Sequence, residues 1–362
     1  MSKKLYNCII IGGGPAGARA AYELSKKTKN IALIDYRESL GDKLCTGIVG
    51  KECIEKYGID KNLIFSEGNS ADITNPEQKT FHLKSKQPKA YIIDRVKYVQ
   101  NIIQKAKKNN TEILYKSRVT DINFTKNDVK LTYKSEGVEK KILSKSIILA
   151  SGLENKLINK LNINSIKNEN ILNGSQLTIS YKTSSQIKNT KVFLGSKFGF
   201  QGFGWIVPTK ENEILIGVLT KDKSRKILIQ FISELKNEYK LENIIQQNIK
   251  TWGIPIQPLE KTYAARVLVI GDAAGLVKPV TGGGIYYSQI SAELAAETIE
   301  KGIIENDFSE KSFSEYQKNW ENLIGAEILK GNKLRDILFG FEDKKLNHLT
   351  KFTFSNSIIS NI

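Results

Sequence analysis

The chain has 362 residues, 40% of them hydrophobic, which suits two domains or one large domain with an insertion and excludes a disordered protein. Its 55 basic residues against 38 acidic ones give a formal charge of +17. The basic pairs (Lys3-Lys4, Lys26-Lys27, Lys107-Lys108, Lys140-Lys141, Lys344-Lys345) are scattered, which argues against a nucleic-acid patch and for a lysine-rich composition. No run approaches the roughly 18 apolar residues of a membrane span, and since the first apolar segment reads as a strand, no secretory leader is expected. Three cysteines are too few for a disulfide framework, so a reduced, cytoplasmic protein is expected. The two histidines, His82 and His348, lie far apart, and no metal site is expected.

The first elements in chain order are the most informative. Cys8 to Ile11 reads as a buried parallel strand, followed by Gly12-Gly13-Gly14-Pro15-Ala16-Gly17 and a helix. Gly12 permits a tight turn, Gly14 lets backbone approach a pyrophosphate, and Gly17 lets helix and strand pack closely. The helix start adds N–H groups and partial positive charge. A second strand, Ile31 to Ile34, ends in Asp35, at the spacing where a carboxylate accepts hydrogen bonds from an adenosine ribose. That acid disfavours a 2′-phosphate, so FAD or NAD fits better than NADP.

Tyr36 and a glycine-rich loop, Gly41 to Gly50, follow, with Cys45 as the thiol nearest the first glycine turn in sequence. Cys8 and Cys53 read instead as small buried hydrophobes. Thr80 to Leu83 hints at a strand, and Tyr91 to Ile93 runs into a helix over 96–107 with Arg95 at its start. A cation there is off the dipole preference, and an anionic ligand would explain it. Short strands are expected over 112–115, 119–124, 129–133 and 142–144, then an apolar strand over 146–150.

Between 153 and 265 the pattern changes to alternating strands (176–181, 191–194, 213–218) and an aromatic, glycine-rich stretch, Phe198 to Pro208. It reads as an inserted sheet domain. The stretch itself suits a tightly packed strand pair or one wall of an apolar pocket. Arg266 to Ile270 restores the parallel-strand pattern. Gly271-Asp272 follows it, then Pro279-Val280-Thr281-Gly282-Gly283-Gly284 leading into a helix over 286–301, a second ligand-binding arrangement. The remainder to Phe341 is mostly helical, with Trp320, Leu323, Ile324 and Ile328 on one apolar stripe expected to be core. The expected architecture is α/β. A Rossmann-like dinucleotide domain comprises 1–152 and 266–301, an antiparallel-sheet substrate domain 153–265, and a helical region 302–362.

These motifs together resemble the FAD-dependent oxidoreductases of the aromatic-hydroxylase type, and most closely the geranylgeranyl reductase family, over nearly the whole chain. Leu44-Cys45-Thr46-Gly47 is similar to that family's cysteine-glycine loop. The stretch from Phe203 to Pro208 is similar to its aromatic Y-x-W-x-F-P signature, and Gly271 to Ser288 to its GDAAG and P-x-T-G-x-G-I-Y pattern. Thr46 stands where a glycine is expected, and Phe203 and Val207 stand for tyrosine and phenylalanine. The resemblance implies FAD as cofactor, with Gly12, Gly14, Ala16 and Gly17 at the pyrophosphate and Asp35 and Tyr36 at the ribose. It puts Arg95 and the Val119 backbone at the adenine half, Asp272 at the ribityl chain or pyrophosphate, and Thr46, Gly47, Gly283, Gly284 and Ile285 near the flavin. Cys45 would be catalytic, and Phe203, Trp205 and Pro208 would meet substrate.

The implied reaction is saturation of isolated C=C bonds in the prenyl chains of a lipid or isoprenoid diphosphate. The electron donor would be a reduced nicotinamide or ferredoxin, and the protein would attach peripherally to an anionic membrane surface. An aromatic-ring monooxygenase shares the fold, but Ser151-Gly152 stands where those enzymes carry an Asp-Gly fingerprint. A flavin-free lipid- or nucleic-acid-binding module would require the glycine turns to be relics.

Overall fold

The computed structural model describes residues 4–41, 45–161, 163–181, 187–210, 212–241 and 244–355. Two compact units emerge. The first comprises 1–43, 95–170 and 255–331, and the second 44–94, 171–254 and 332–362. Asp42, Lys43 and Leu44 of the expected loop lie outside the described residues.

In the first unit five parallel strands run in the order Val267–Val269, Val138–Leu149, Leu5–Ile11, Ile31–Ile34, Glu112–Leu114. The apolar runs 8–11, 31–34, 147–149 and 267–269 are buried, as in a sheet covered on both faces, and the edge strand Glu112–Leu114 is half-buried. Val138–Leu149 is one strand where the sequence suggests two. Its first half pairs antiparallel with Val129–Ser135 and its second half parallel with Leu5–Ile11, so the polar stretch between them stays in the ladder. Helix Pro15–Ser25 packs on helices Arg95–Lys108 and Ile285–Glu305. Only glycine suits the turn that joins strand to helix. Gly12 has φ +107°, a Cβ on it would stand 2.3 Å from the Ala150 carbonyl oxygen, and one on Gly17 would stand 1.8 Å from that of Gly12.

The second unit holds a seven-stranded sheet in the order Lys250–Pro255, Ile171–Ser180, Glu213–Thr220, Phe203–Lys210, Thr190–Leu194, Ser70–Thr74, Thr80–Lys84. One face packs Leu177, Ile179, Ile206, Ile214, Ile216 and Val218 against Leu228, Phe231, Ile232 and Leu235 of helix Ser224–Glu238. The opposite face carries the alternate residues Phe203, Trp205 and Val207 together with Leu215, Gly217 and Leu219. A small sheet of Ile48–Gly50, Ala90–Ile93 and Ile64–Gly68 completes the strands. Helix Asp343–Ser355 is tied in by Asp343, which accepts from the Ser196 amide (2.8 Å) and hydroxyl (2.7 Å).

Four expectations need correction. Residues 44–94 belong with the inserted sheet, because Ser70–Thr74 pairs in parallel with Thr190–Leu194, a long-range pairing that no local pattern specifies. The C-terminal region is divided at 331, so it forms no separate body. Helix Ser224–Glu238 lies within the expected inserted sheet domain and is not among the expected elements, although its i, i+3, i+4, i+7 apolar spacing is legible in the sequence. Trp320, Ile324 and Ile328 of the expected stripe are buried. Leu323 is 60% exposed, since Glu321–Gly325 is a π-helical turn that rotates it off the stripe.

Candidate functional site

The glycine turn of the first unit opens onto a cleft of about 180 Å³, lined by Gly12, Gly14, Ala16, Asp35, Tyr36, Ser151 and Asp272 among others. A Cβ added at Gly14 would meet nothing within 4 Å, so this position faces open space. Gly14 is also the N-cap of helix Pro15–Ser25 with no side-chain cap, and the first intrahelical bond is Ala18 N–H to the Gly14 carbonyl at 2.9 Å. The Ala16 and Gly17 N–H groups therefore point out of the helix start, as anion binding requires. At the far side, helix Ile285–Glu305 begins from Gly284, also without a side-chain cap. A Cβ on Gly284 would lie 2.8 Å from Oδ1 of Asp272, so the second glycine turn reaches the cleft through that carboxylate. Gly283, Gly284 and Ile285 themselves are not among the lining residues.

Asp35 is buried, and its oxygens accept from Gly13 N–H (2.6 Å), Arg37 N–H (2.8 Å), and Arg37 Nε (2.9 Å) and Nη2 (2.7 Å). Burial works to raise its pKa, but the Arg37 guanidinium and the two backbone donors outweigh it and hold the carboxyl below its ordinary value. A carboxylate has about four acceptor positions, so a ribose hydroxyl binding here displaces one Arg37 contact. Tyr36 borders the same end, with the Arg118 guanidinium 4.2 Å from its ring centroid and Arg118 paired to Glu154 at 3.5 Å.

With the folded pKa below the unfolded value of about 3.9, the stabilisation from Asp35 is complete above that pH and disappears as pH falls through the folded value. Asp35→Asn is expected to cost about 2 kcal/mol at pH 7, a gap that closes in more acid solution. Urea titrations of both proteins at pH 7 and in acid measure it. An unchanged gap would show that the pairing carries no stability.

Other expected residues have different places. Arg95 is buried and its guanidinium donates to the Gly41 carbonyl, so a backbone acceptor meets the cation where an anionic ligand was expected. Val119 is buried in strand Ser117–Phe124, and Ser117 is the residue of that strand that lines the cleft. Cys8 is buried in its strand and its thiol is pushed up to about 12 by desolvation, which suits a core residue. A cluster not foreseen lies behind the turn. Buried Arg19 donates to Gln289 (2.6 Å), Glu23 (3.1 Å) and Tyr98 (3.2 Å), and Gln289 donates to the Pro15 carbonyl at 3.3 Å. The Arg19–Glu23 pair, four residues apart on a glycine-led helix, is its sequence signal, whereas Tyr98 and Gln289 are remote in the chain.

The second unit holds Cys45, Thr46 and Gly47. The Cys45 thiol is partly exposed and accepts from Gly47 N–H at 3.4 Å. Gly47 has φ +77° and a Cβ there would meet the Ile93 carbonyl at 2.6 Å, so its glycine is explained by pairing with strand Ala90–Ile93. Phe203 and Trp205 share one sheet face, with ring centroids 5.5 Å apart. Strand alternation puts Pro208 on the other, opposite Ile214 of the core, so the structure does not join it to them.

FAD fits the first unit's cleft: outward N–H groups and an open glycine suit a pyrophosphate, Asp35 suits a ribose, and the buried Ser151 hydroxyl has no hydrogen-bond partner among the described residues. A parallel sheet with a glycine-led helix start and a terminal acid, joined in one chain to a second sheet unit, defines a dinucleotide-binding oxidoreductase. The chain belongs to the pyridine nucleotide-disulphide oxidoreductase family, whose model matches residues 6–194. It is 27% identical over 358 residues to digeranylgeranylglycerophospholipid reductase 1 of Methanococcoides burtonii, covering 96% of this chain and 87% of that one. The crystal structure of a geranylgeranyl bacteriochlorophyll reductase-like protein from Thermoplasma acidophilum superposes with a TM-score of 0.88 at 22% identity, covering 96% and 91% of the two chains. The p-nitrophenol 4-monooxygenase of Pseudomonas putida shares the fold with a TM-score of 0.76 at 12% identity, covering 99% and 96%.

Proposed function

We propose that this protein is an FAD-dependent reductase that saturates C=C bonds in geranylgeranyl chains of a lipid or isoprenoid diphosphate. The carrying observation is the end-to-end likeness to digeranylgeranylglycerophospholipid reductases, covering 96% of this chain in a protein whose first unit has a cleft fitting FAD. The fold alone also accommodates a monooxygenase, but relatives from Methanococcoides burtonii and Methanococcus vannielii are named reductases.

In this reading Gly12, Gly14, Ala16 and Gly17 hold the pyrophosphate, Asp35 and Tyr36 the ribose, and Asp272 with the helix start at Gly284 the distal half of the cofactor. Reduced FAD supplies the hydride equivalent. An isolated alkene also needs a proton, and Cys45 Sγ is the group assigned to hold it; Thr46 and Gly47 shape its loop. Phe203 and Trp205 supply apolar ring surface to the prenyl chain. Electrons come from a reduced nicotinamide or ferredoxin.

Mass spectrometry of lipids from cells that make unsaturated prenyl lipids and express the protein is expected to show added hydrogen pairs in those chains. Chains that remain unsaturated, with FAD bound to the protein and a reductant supplied, would sink the reading. Among the described residues no helix is long and apolar enough to cross a membrane. The formal charge of +17 supports peripheral attachment to anionic lipid. Co-sedimentation with anionic vesicles should weaken as salt rises, and a salt-independent result would remove the electrostatic argument.

A further inference from the structure

One row of the second unit's sheet contains an unmet pair of polar groups. Gly217 of strand Glu213–Thr220 is the register partner of Gln176 on one side and of Trp205 on the other, so all three lie in a line on the face away from helix Ser224–Glu238. With no side chain at Gly217, the indole of Trp205 lies across it. A Cβ built there would be 2.2 Å from the ring's Cζ2 and 2.8 Å from Nε1.

Gln176 and Trp205 are each 7% exposed. The Trp205 Nε1 donor and the Gln176 Oε1 acceptor are both buried, and neither has a hydrogen-bond partner among the described residues. Burying either costs about 1–3 kcal/mol if it stays unmet, a cost that native structures rarely leave uncompensated. Register neighbours on adjacent strands have Cβ atoms about 5 Å apart. Gln176 and Trp205 stand on either side of Gly217, and a single small group lying between them over this glycine would meet both. That group must accept from the indole and donate to the amide oxygen. A hydroxyl does both, and the smallest carrier is water.

We propose that Trp205 and Gln176 bracket one ordered water, and that this water makes Gln176 a positioning residue for Cys45. The other end of the Gln176 amide, Nε2, donates to the Cys45 carbonyl at 3.4 Å. The chain Trp205 N–H, water, Gln176 and Cys45 carbonyl fixes the amide's orientation, so Nε2 faces the cysteine loop. Its catalytic consequence rests on the assignment of Cys45 above, whereas the water site does not.

A crystal structure of the FAD-loaded protein at a resolution that shows waters is expected to place one oxygen within hydrogen-bond reach of both Trp205 Nε1 and Gln176 Oε1. A direct bond between the two side chains, or two unmet groups with no oxygen, overturns the proposal. In solution Trp205→Phe removes the donor and keeps the ring, and Gln176→Met keeps the length and removes the amide. Each should lower kcat for prenyl reduction about five- to tenfold, the worth of one hydrogen bond, with FAD content and melting temperature near native. The double variant should lose little more than either single one, because both act through one water. Independent, multiplying losses would show that the two residues are not linked. If the native protein reduces no prenyl chain, the functional reading fails while the crystal structure still decides the water site.

Discussion

Gly14→Val is expected to leave the fold standing and to remove FAD. The backbone of Gly14 has φ −75° and ψ −173°, which any residue adopts, and a Cβ there meets nothing within 4 Å. Without cofactor the substitution should cost about 1 kcal/mol or less, as at an ordinary helix cap. Its methyl groups would occupy the space through which a pyrophosphate reaches the helix start, and FAD affinity should fall at least about 100-fold, roughly 2.8 kcal/mol. Gly17→Val provides the contrast. Its Cβ would stand 1.8 Å from the Gly12 carbonyl, so it should destabilise the protein with or without FAD by at least about 3 kcal/mol. Flavin fluorescence titration and thermal melts of both variants separate the two effects. Native-like FAD binding by Gly14→Val would mean that the cofactor's phosphates lie elsewhere.

Cys45→Ser is expected to keep FAD and to lose prenyl reduction by about 100-fold or more in kcat, the ordinary contribution of a positioned proton donor. Serine preserves the loop, because its hydroxyl can accept the Gly47 N–H that the thiol accepts at 3.4 Å. A loss of turnover with an unchanged flavin spectrum and melting temperature therefore reports on chemistry at Sγ. Turnover at the native rate would make Cys45 structural and end its assignment as the proton donor.

The dinucleotide turn is legible in the sequence because its parts are contiguous. Strand, three glycines, helix start and second strand with its acid fall within 5–35, and their geometry follows from local sterics and the helix's own N–H groups. The second glycine turn at 271–284 is equally local, and so is the buried character of Cys8. Arg37 lies two residues beyond Asp35, so its double hold on that carboxylate is local, whereas Gly13 N–H reaches Asp35 from 22 residues away.

Tertiary structure alone decided the rest. Residues 44–94 joined the second unit through a parallel strand pairing some 120 positions along the chain, and Arg19 found Gln289 270 residues away. Pro208 was separated from Trp205 by strand alternation, and Gln176, Gly217 and Trp205 became one row only when two antiparallel registers were set together. Sequence pattern specifies which residues want burial and which turns are permitted. Strand register and long-range partners are set cooperatively, by the packing of faces that exist only once the chain has folded.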